Sequence, residues 1–225
     1  MTTVMPTQFP TERTEFRLEG PAGSLECLSD NPDKSIALPA TAVLCHPHPL
    51  HGGTMHNKVV TIMDRALRES GVRTLRLNFR GVGESAGAYD DGFGETDDLL
   101  TAVDWVRRVR PDDALLLAGF SFGSYVCLRA AHTLRLNQLI LIAPPVERYE
   151  FAELKAPDCP WMVIQGDEDD VVSVDAVINW AGKIEPPPRL EVMKEAGHFF
   201  HRRLLDLRGL IKNGAREHLP KLPAA

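Results

Sequence analysis

The sequence predicts an α/β fold in which a mostly parallel, twisted sheet lies between two layers of helices. From about residue 41 onward, segments with strand patterns and segments with helix patterns alternate along the chain. The predicted strands are short, near-continuous apolar runs, which is typical of strands buried on both faces. No internal repeat or long linker divides the chain. We therefore expect a single domain over residues 13–225, preceded by a flexible lead-in at residues 1–12.

The individual elements follow from local patterns. Two alternating runs at 14–19 and 23–28, joined by Gly20-Pro21-Ala22, predict an N-terminal antiparallel hairpin. Apolar runs predict further strands at 41–45, 72–78, 114–119, 138–143, 161–166 and 189–193. The intervening segments predict helices at 57–70, 93–109, 122–134, 174–182 and 202–213.

Composition excludes several classes of function. The net charge is −6 and no basic tract stands out, which argues against nucleic acid as a partner. The first twenty residues lack the apolar core of a signal peptide, and nowhere do eighteen apolar residues run together, so we expect no membrane span. The four cysteines share no metal-type spacing and are expected to be reduced thiols, in keeping with a cytoplasmic protein: Cys27, Cys45, Cys127 and Cys159.

The pattern G-x-S-x-G occurs at residues 119–123 (GFSFG), where a predicted strand meets a predicted helix. A sharp turn of this kind leaves no room for side chains beside the serine, so the flanking positions require glycine. Ser121 would then lie at the N-terminus of the helix, where the backbone N–H of Phe122 can stabilise a developing oxyanion. A serine that caps an ordinary turn is the alternative, but the strand-to-helix junction favours a nucleophile.

A serine nucleophile requires a base and a carboxylate that orients the base. His198 follows the last predicted strand, in a loop that can reach over the edge of the sheet, and His201 is the weaker candidate. His132 and His218 are expected to be structural or solvated. The loop after strand 161–166 offers four acids, of which any one alone could be solvated: Asp167, Glu168, Asp169 and Asp170. The order Ser…Asp…His is the one that α/β-hydrolases use.

Together these motifs resemble serine hydrolases of the α/β-hydrolase fold, from about residue 14 to 213. The loop at 166–172 (GDEDDVV) resembles the family's G-x-x-D-x-V-V loop, and this resemblance selects Asp169. The family's terminal G-H is found at Gly197-His198. Residues 78–85 (NFRGVGES) resemble the R-G-x-G-x-S turn, for which we expect a structural role. Residues 45–60 (CHPHPLHGGTMHNKVV) are similar to those of a compact, lidless bacterial subgroup related to dienelactone-hydrolase-like enzymes.

The histidine-rich stretch allows two interpretations. Four histidines lie within eleven residues, and H-x-H can indicate a metal site: His46, His48, His51 and His56. Two observations argue against a metal site: two prolines stiffen the loop, and no nearby aspartate completes a metallohydrolase pattern. We therefore expect no metal and no organic cofactor. In the family this loop contributes the second oxyanion donor. Pro47 and Pro49 have no N–H, which leaves His48 or Leu50, and the family's spacing favours the backbone N–H of His48.

The sequence thus predicts a serine hydrolase that cleaves a small-molecule carboxylic ester or thioester through an acyl-enzyme, with Ser121, His198 and Asp169 as its triad. Residues 144–160 are too few for a cap domain, so we expect an open site. Three alternatives use the same fold: a peptidase, an acyltransferase, or a binding module without activity. The exposed edge strand and the C-terminal helix are candidate surfaces for a homodimer.

Overall fold

An eight-stranded sheet forms the centre of the molecule in the computed structural model, which describes residues 5–221. The strands are β1 Thr14–Gly20, β2 Gly23–Asp30, β3 Ala40–Cys45, β4 Arg73–Leu77, β5 Ala114–Phe120, β6 Gln138–Ile142, β7 Trp161–Gly166 and β8 Arg189–Met193. Their order across the sheet is β1-β2-β4-β3-β5-β6-β7-β8. The pairs β1–β2 and β2–β4 are antiparallel and all other neighbouring pairs are parallel, which confirms the predicted sheet and its N-terminal hairpin.

Helices cover both faces of the sheet. They are α1 Lys58–Arg68, α2 Phe93–Val109, α3 Phe122–Ala131, α4 Val174–Ala181 and α5 Leu204–Arg216. The apolar residues of α1 and α5 form one core cluster with the sheet, and those of α2, α3 and α4 form a second. Neighbouring residues of β3 show how the sheet separates the two clusters, since Val43 belongs to the second and Leu44 to the first. The two-layer arrangement of helices is as predicted.

The last helix begins two residues later than the sequence predicts, at Leu204 instead of residue 202. Phe200 and Arg202 have positive φ angles of 51° and 64°, a conformation that an α-helix does not contain. These residues therefore form turns that lead from the loop after β8 into α5.

The expected lead-in at 1–12 lies only partly within the described residues, since residues 1–4 fall outside them. The remainder has no regular secondary structure, but it contacts α2. Phe9 is buried with its ring centroid 5.6 Å from that of Trp105. The indole N–H of Trp105 also donates a hydrogen bond of 2.9 Å to the carbonyl oxygen of Pro6.

The connection between β6 and β7 is short. It contains a single 3-10 turn, at Phe151–Glu153, and residues 5–221 include no separate cap domain. Among the same residues, no helix has both the length and the apolar character needed to cross a membrane. All four cysteines are free; Cys159 is half-buried and the other three are buried.

The two surfaces expected for a homodimer differ in their exposure. The apolar face of α5 is covered within the chain, because Leu207, Ile211 and Ala215 are buried in the same cluster as α1. Strand β8 is an edge of the sheet, and Val192 on it is 41% exposed. A homodimer remains a prediction, and β8 is the more accessible of its two surfaces.

Candidate active site

Ser121 lies in a strained turn between β5 and α3. Its backbone angles are φ 53° and ψ −119°, in a region that residues other than glycine rarely adopt. Two groups fasten this turn to the neighbouring strand. The N–H of Ser121 donates to the carbonyl oxygen of Ile142 at 2.8 Å, and the Ser124 hydroxyl lies 2.9 Å from the carbonyl oxygens of both Ile142 and Gly119. The strained conformation is therefore held by hydrogen bonds to the ends of β5 and β6.

Close backbone contacts explain the two glycines of this turn. A Cβ atom on Gly119 would overlap the carbonyl oxygen of Gly123. A Cβ atom on Gly123 would lie 2.6 Å from the carbonyl oxygen of Cys45, at the end of β3. Both positions therefore require glycine, as the sequence pattern predicts, and the second glycine brings α3 against the start of the histidine-rich loop.

His198 is buried beside Ser121. Its Nε2 atom lies 3.1 Å from Ser121 Oγ, and its ring packs against Phe120, with a distance of 5.1 Å between ring centroids. The loop that carries His198 lies against the end of β7, where a Cβ atom on Gly166 would overlap the carbonyl oxygen of Ala196. Phe120, at the end of β5, therefore packs directly against the His198 ring.

Asp169 completes a continuous chain of hydrogen bonds. His198 Nδ1 lies 2.8 Å from Asp169 Oδ2, while the N–H groups of Val171 and Val172 both donate to Asp169 Oδ1 at 2.8 Å. Burial alone would raise the pKa of Asp169, but the hydrogen bond and charge of His198, together with the two N–H groups, outweigh burial and lower it. The carboxylate is therefore ionised and acts as an acceptor. Nδ1 of His198 carries the proton, and Nε2 is left to accept a hydrogen bond from Ser121.

Gln165, the residue that precedes Gly166 in β7, contacts the same carboxylate and was not predicted from the sequence. Its side chain is buried, and its amide N–H donates to Asp169 Oδ2 at 3.0 Å. A polar side chain within a buried strand needs a partner, so the glutamine in the apolar run WMVIQG was the signal in the sequence.

The other acids and histidines proposed from sequence lie outside this hydrogen-bonded chain. Those that are exposed include Asp167, Glu168, Asp170, His132, His201 and His218. The turn at residues 78–85, which resembles the R-G-x-G-x-S motif, has a structural role, as expected. Its Ser85 hydroxyl donates to the carbonyl oxygen of Asn78 at 2.7 Å and accepts from the N–H of Glu26 at 2.9 Å.

The backbone N–H groups of Phe122 and His48 are the two oxyanion donors expected from the sequence. Phe122 is the first residue of α3, where an N–H has no partner within the helix. Across the described part of the chain, neither N–H is paired with an acceptor. Both residues line the cavity that contains Ser121 and His198.

His46 holds the histidine-rich loop in place. Its Nδ1 lies 2.6 Å from the carbonyl oxygen of Pro47, and its Nε2 accepts a hydrogen bond of 3.0 Å from the N–H of Phe79. Burial lowers the pKa of His46 to about 4, so the ring is neutral. Because both ring nitrogens have backbone partners, His46 has none to offer a metal. Among residues 5–221, no three His, Cys, Asp or Glu side chains are grouped in a way that could hold a metal ion.

The cavity above Ser121 has a volume of about 320 Å³, which is suited to a small molecule. Its walls come from the histidine-rich loop, the loop after β6 and the loop that carries His198. The walls include Gly53, Asn57, Pro145, Arg148, Tyr149 and Phe199.

Comparison with known proteins identifies the family. A sequence profile described as the α/β hydrolase fold matches residues 49–156. A serine hydrolase without a lid from Xanthomonas campestris has 50% sequence identity to this chain, and the match covers 97% of this chain and 100% of that one, with a TM-score of 0.93. The chain belongs to the α/β serine hydrolase family. The predicted fold class and family are thereby confirmed, and the dienelactone-hydrolase-like subgroup remains a prediction.

Two further relatives are similar to the present chain over most of its length. An α/β serine hydrolase homologue from Coxiella burnetii is 45% identical, covers 92% of this chain and 99% of its own, and has a TM-score of 0.88. An uncharacterised protein from Rickettsia prowazekii is 34% identical over 83% of this chain and 82% of the relative.

Proposed function

We propose that this hydrolase cleaves a carboxylic ester or thioester through an acyl-enzyme formed on Ser121. One observation carries the proposal. Ser121 Oγ, the His198 ring and the Asp169 carboxylate form a single hydrogen-bonded chain, with distances of 3.1 Å and 2.8 Å. In that order the three side chains can act as nucleophile, base and orienting acid.

In the first step, Ser121 Oγ attacks the carbonyl carbon of the substrate. His198 Nε2 accepts the hydroxyl proton as the new bond forms, and the ring becomes an imidazolium. Asp169 stabilises that charge and keeps the other proton on Nδ1. Its own position is fixed by the N–H groups of Val171 and Val172, so the ring is held in one tautomer and one orientation.

The tetrahedral intermediate carries a negative charge on the former carbonyl oxygen. The N–H groups of Phe122 and His48 are the donors for this oxyanion, and both are without another partner in the described residues. The dipole of α3 adds a favourable field, because the oxyanion would lie at its N-terminus. Each such donor contributes about 10²-fold to 10³-fold in rate.

Three further proton transfers complete the cycle. His198 first gives its proton to the leaving oxygen or sulfur, and the bond to the leaving group breaks to release an alcohol or thiol. A water molecule then replaces the leaving group. His198 takes a proton from this water as its oxygen attacks the acyl carbon, and it returns the proton to Ser121 Oγ when the carboxylic acid leaves.

Labelling and turnover test the proposal together. A fluorophosphonate probe should modify wild-type protein once, at Ser121, and should leave Ser121→Ala unmodified. The wild-type protein should hydrolyse the 4-nitrophenyl ester and the thioester of one short acyl group, and Ser121→Ala should lose at least about 10³-fold in kcat.

An anilide of the same acyl group and an added alcohol acceptor distinguish the related reactions. Faster cleavage of the anilide would favour a peptidase, and transfer to the alcohol in preference to water would favour an acyltransferase. Unchanged ester hydrolysis by Ser121→Ala would overturn the assignment of the nucleophile.

A further inference from the structure

A second depression adjoins the cavity above Ser121. It has a volume of about 380 Å³, and Asn57 and Phe199 line both cavities. The Phe199 side chain is 43% exposed and forms the wall between them. A substrate bound at Ser121 can therefore extend past Phe199 into this depression. We call it the basic groove and define it by Thr54, His56, Asn57, Lys58, Phe199 and His201.

The basic groove differs from the rest of the molecule in its charge. The chain as a whole carries a net charge of −6, yet none of the residues that line the groove is acidic. Lys58 is exposed and forms no salt bridge with any acid of the described residues. The imidazole rings of His56 and His201, both exposed, add further N–H donors.

The first turn of α1 contributes to the same groove. Asn57 caps this helix by accepting the N–H of Val59 at 2.9 Å, and Lys58 is the first helical residue. The first turn of α1, which is the positive end of the helix dipole, and Lys58 therefore both line the groove. An anion in the groove would be attracted by both, with no carboxylate of the groove to oppose it.

We propose that the basic groove binds a negatively charged group, a carboxylate or a phosphate, carried by the substrate whose ester or thioester bond is held at Ser121. This inference rests on the proposed function and adds a substrate class to it. Phe199 provides an apolar surface for the part of the substrate that joins the scissile bond to the anion. Lys58 provides the charge that recognises it.

Two matched pairs of esters test whether the charge is recognised and on which side of the scissile bond it lies. 4-Acetoxybenzoate and 4-acetoxybenzamide place the charge, or its neutral replacement, on the leaving group. Methyl hydrogen terephthalate and methyl 4-carbamoylbenzoate place it on the acyl group. Hydrolysis of the neutral esters measures the proposed function by itself, and the anion-to-neutral ratio of kcat/KM measures the groove.

We expect the anionic ester to be preferred in one of the two pairs. Lys58→Gln should lower that preference by about twofold to fivefold, and Lys58→Glu should lower it further. Salt should weaken the wild-type preference, because the groove is open to solvent. Lys34→Gln is the matched control. Lys34 is also exposed, but it precedes β3 and so lies at the opposite end of that strand from the site, and its loss should leave the ratio unchanged.

A binding measurement separates the groove from catalysis. Calorimetric titration of the Ser121→Ala protein with both members of each pair should show the same Lys58-dependent preference. One result would overturn the proposal that the groove binds an anion: the neutral esters are hydrolysed, but the anion-to-neutral ratio of kcat/KM is the same in wild type and Lys58→Gln for both pairs. That result would leave the proposed function intact. Lys58-dependent binding without any hydrolysis would support the groove and count against the proposed reaction.

Discussion

The side-chain amide of Gln165 donates a hydrogen bond of 3.0 Å to Asp169 Oδ2, the same oxygen that lies 2.8 Å from His198 Nδ1. Gln165 and His198 thus share one acceptor. The amide withdraws part of the negative charge that would otherwise stabilise the histidine, and it also fixes the carboxylate from within β7. In the proposed mechanism, Gln165 is a positioning residue that acts through Asp169.

Gln165→Leu should move the pH profile of kcat/KM. With one donor removed, Asp169 Oδ2 interacts more strongly with the His198 imidazolium, so the acid limb should shift to higher pH. We expect kcat at the optimum to fall by several-fold, because the carboxylate is held less firmly. Gln138→Leu is the control: this glutamine is also buried in a strand, and it donates to the carbonyl oxygen of Gly214 at 2.9 Å, away from the site. Gln138→Leu should lower the free energy of unfolding without moving the acid limb of the pH profile. An identical shift of this limb in both variants would contradict the role of Gln165.

Asp169→Asn and Asp170→Asn should differ by orders of magnitude. Asp169 is buried and accepts from His198, whereas the neighbouring Asp170 is exposed. An amide at 169 can present an N–H to the ring and so favour the wrong tautomer, for which we expect a loss of about 10³-fold to 10⁴-fold in kcat. Asp170→Asn should retain nearly full activity on a 4-nitrophenyl ester. Equal losses in the two variants would show that another acid orients His198.

Substitution of His48 by proline and by alanine separates its backbone from its side chain. The φ angle of His48 is −52°, which proline can adopt, so His48→Pro mainly removes the N–H. We expect kcat to fall by about 10²-fold to 10³-fold in His48→Pro. His48→Ala keeps the N–H, loses only the ring that accepts the N–H of Leu50 at 3.2 Å, and should be much less impaired. Similar rates for the two variants would exclude this N–H as an oxyanion donor.

Glycine-to-alanine substitutions should have opposite effects at two positions. Gly123→Ala places a Cβ atom 2.6 Å from the carbonyl oxygen of Cys45, so the contact between α3 and β3 must open. We expect a loss of about 2 kcal/mol or more in the free energy of unfolding. A Cβ atom on Gly209, within α5, would meet no other atom within 4 Å, and Gly209→Ala should raise that free energy by about 0.5–1 kcal/mol. Urea denaturation measures both, and a stabilised Gly123→Ala would contradict the tight packing of this turn.

His46 should make the stability of the protein depend on pH in the acid range. Its pKa is about 4 in the folded protein, against an ordinary value of 6.5. Between these values the unfolded chain binds a proton that the folded chain does not, so the free energy of unfolding falls as the pH drops from 6.5 to 4. The contribution of this group is about 3 kcal/mol over that window. Urea denaturation of His46→Gln should show a smaller fall in the free energy of unfolding between pH 6.5 and 4 than wild type shows. The same fall in both proteins would contradict a neutral, buried His46.

The sequence predicts best those features that depend on local pattern. The strand-to-helix turn at Ser121 was predictable because it must have glycines at both flanks. His198 was selected because it follows the last strand and forms a G-H pair with Gly197, and its Nε2 lies 3.1 Å from Ser121 Oγ. Alternating runs located the two strands of the hairpin and apolar runs located the other six, each to within about two residues.

Features that depend on contacts between distant segments were not predictable in this way. The partner of Gln165 becomes clear only in the folded structure, where the loop after β7 turns back and places Asp169 beside it. The sequence predicted no metal at the histidine-rich loop but could not show what His46 does there, because nothing local reveals that the N–H of Phe79, just after β4, donates to its ring. The start of α5 was misplaced for a related reason: Phe200 and Arg202 take positive φ angles that neither residue type favours, so only the packing of the loop accounts for them.

The short connection between β6 and β7 has a consequence for the kinetics of turnover. In the described residues no domain covers the mouth of the site, so neither entry nor release has to wait for a moving part. For the same reason, an ester at the tip of a much larger molecule can reach Ser121 while the rest of that molecule stays in solvent.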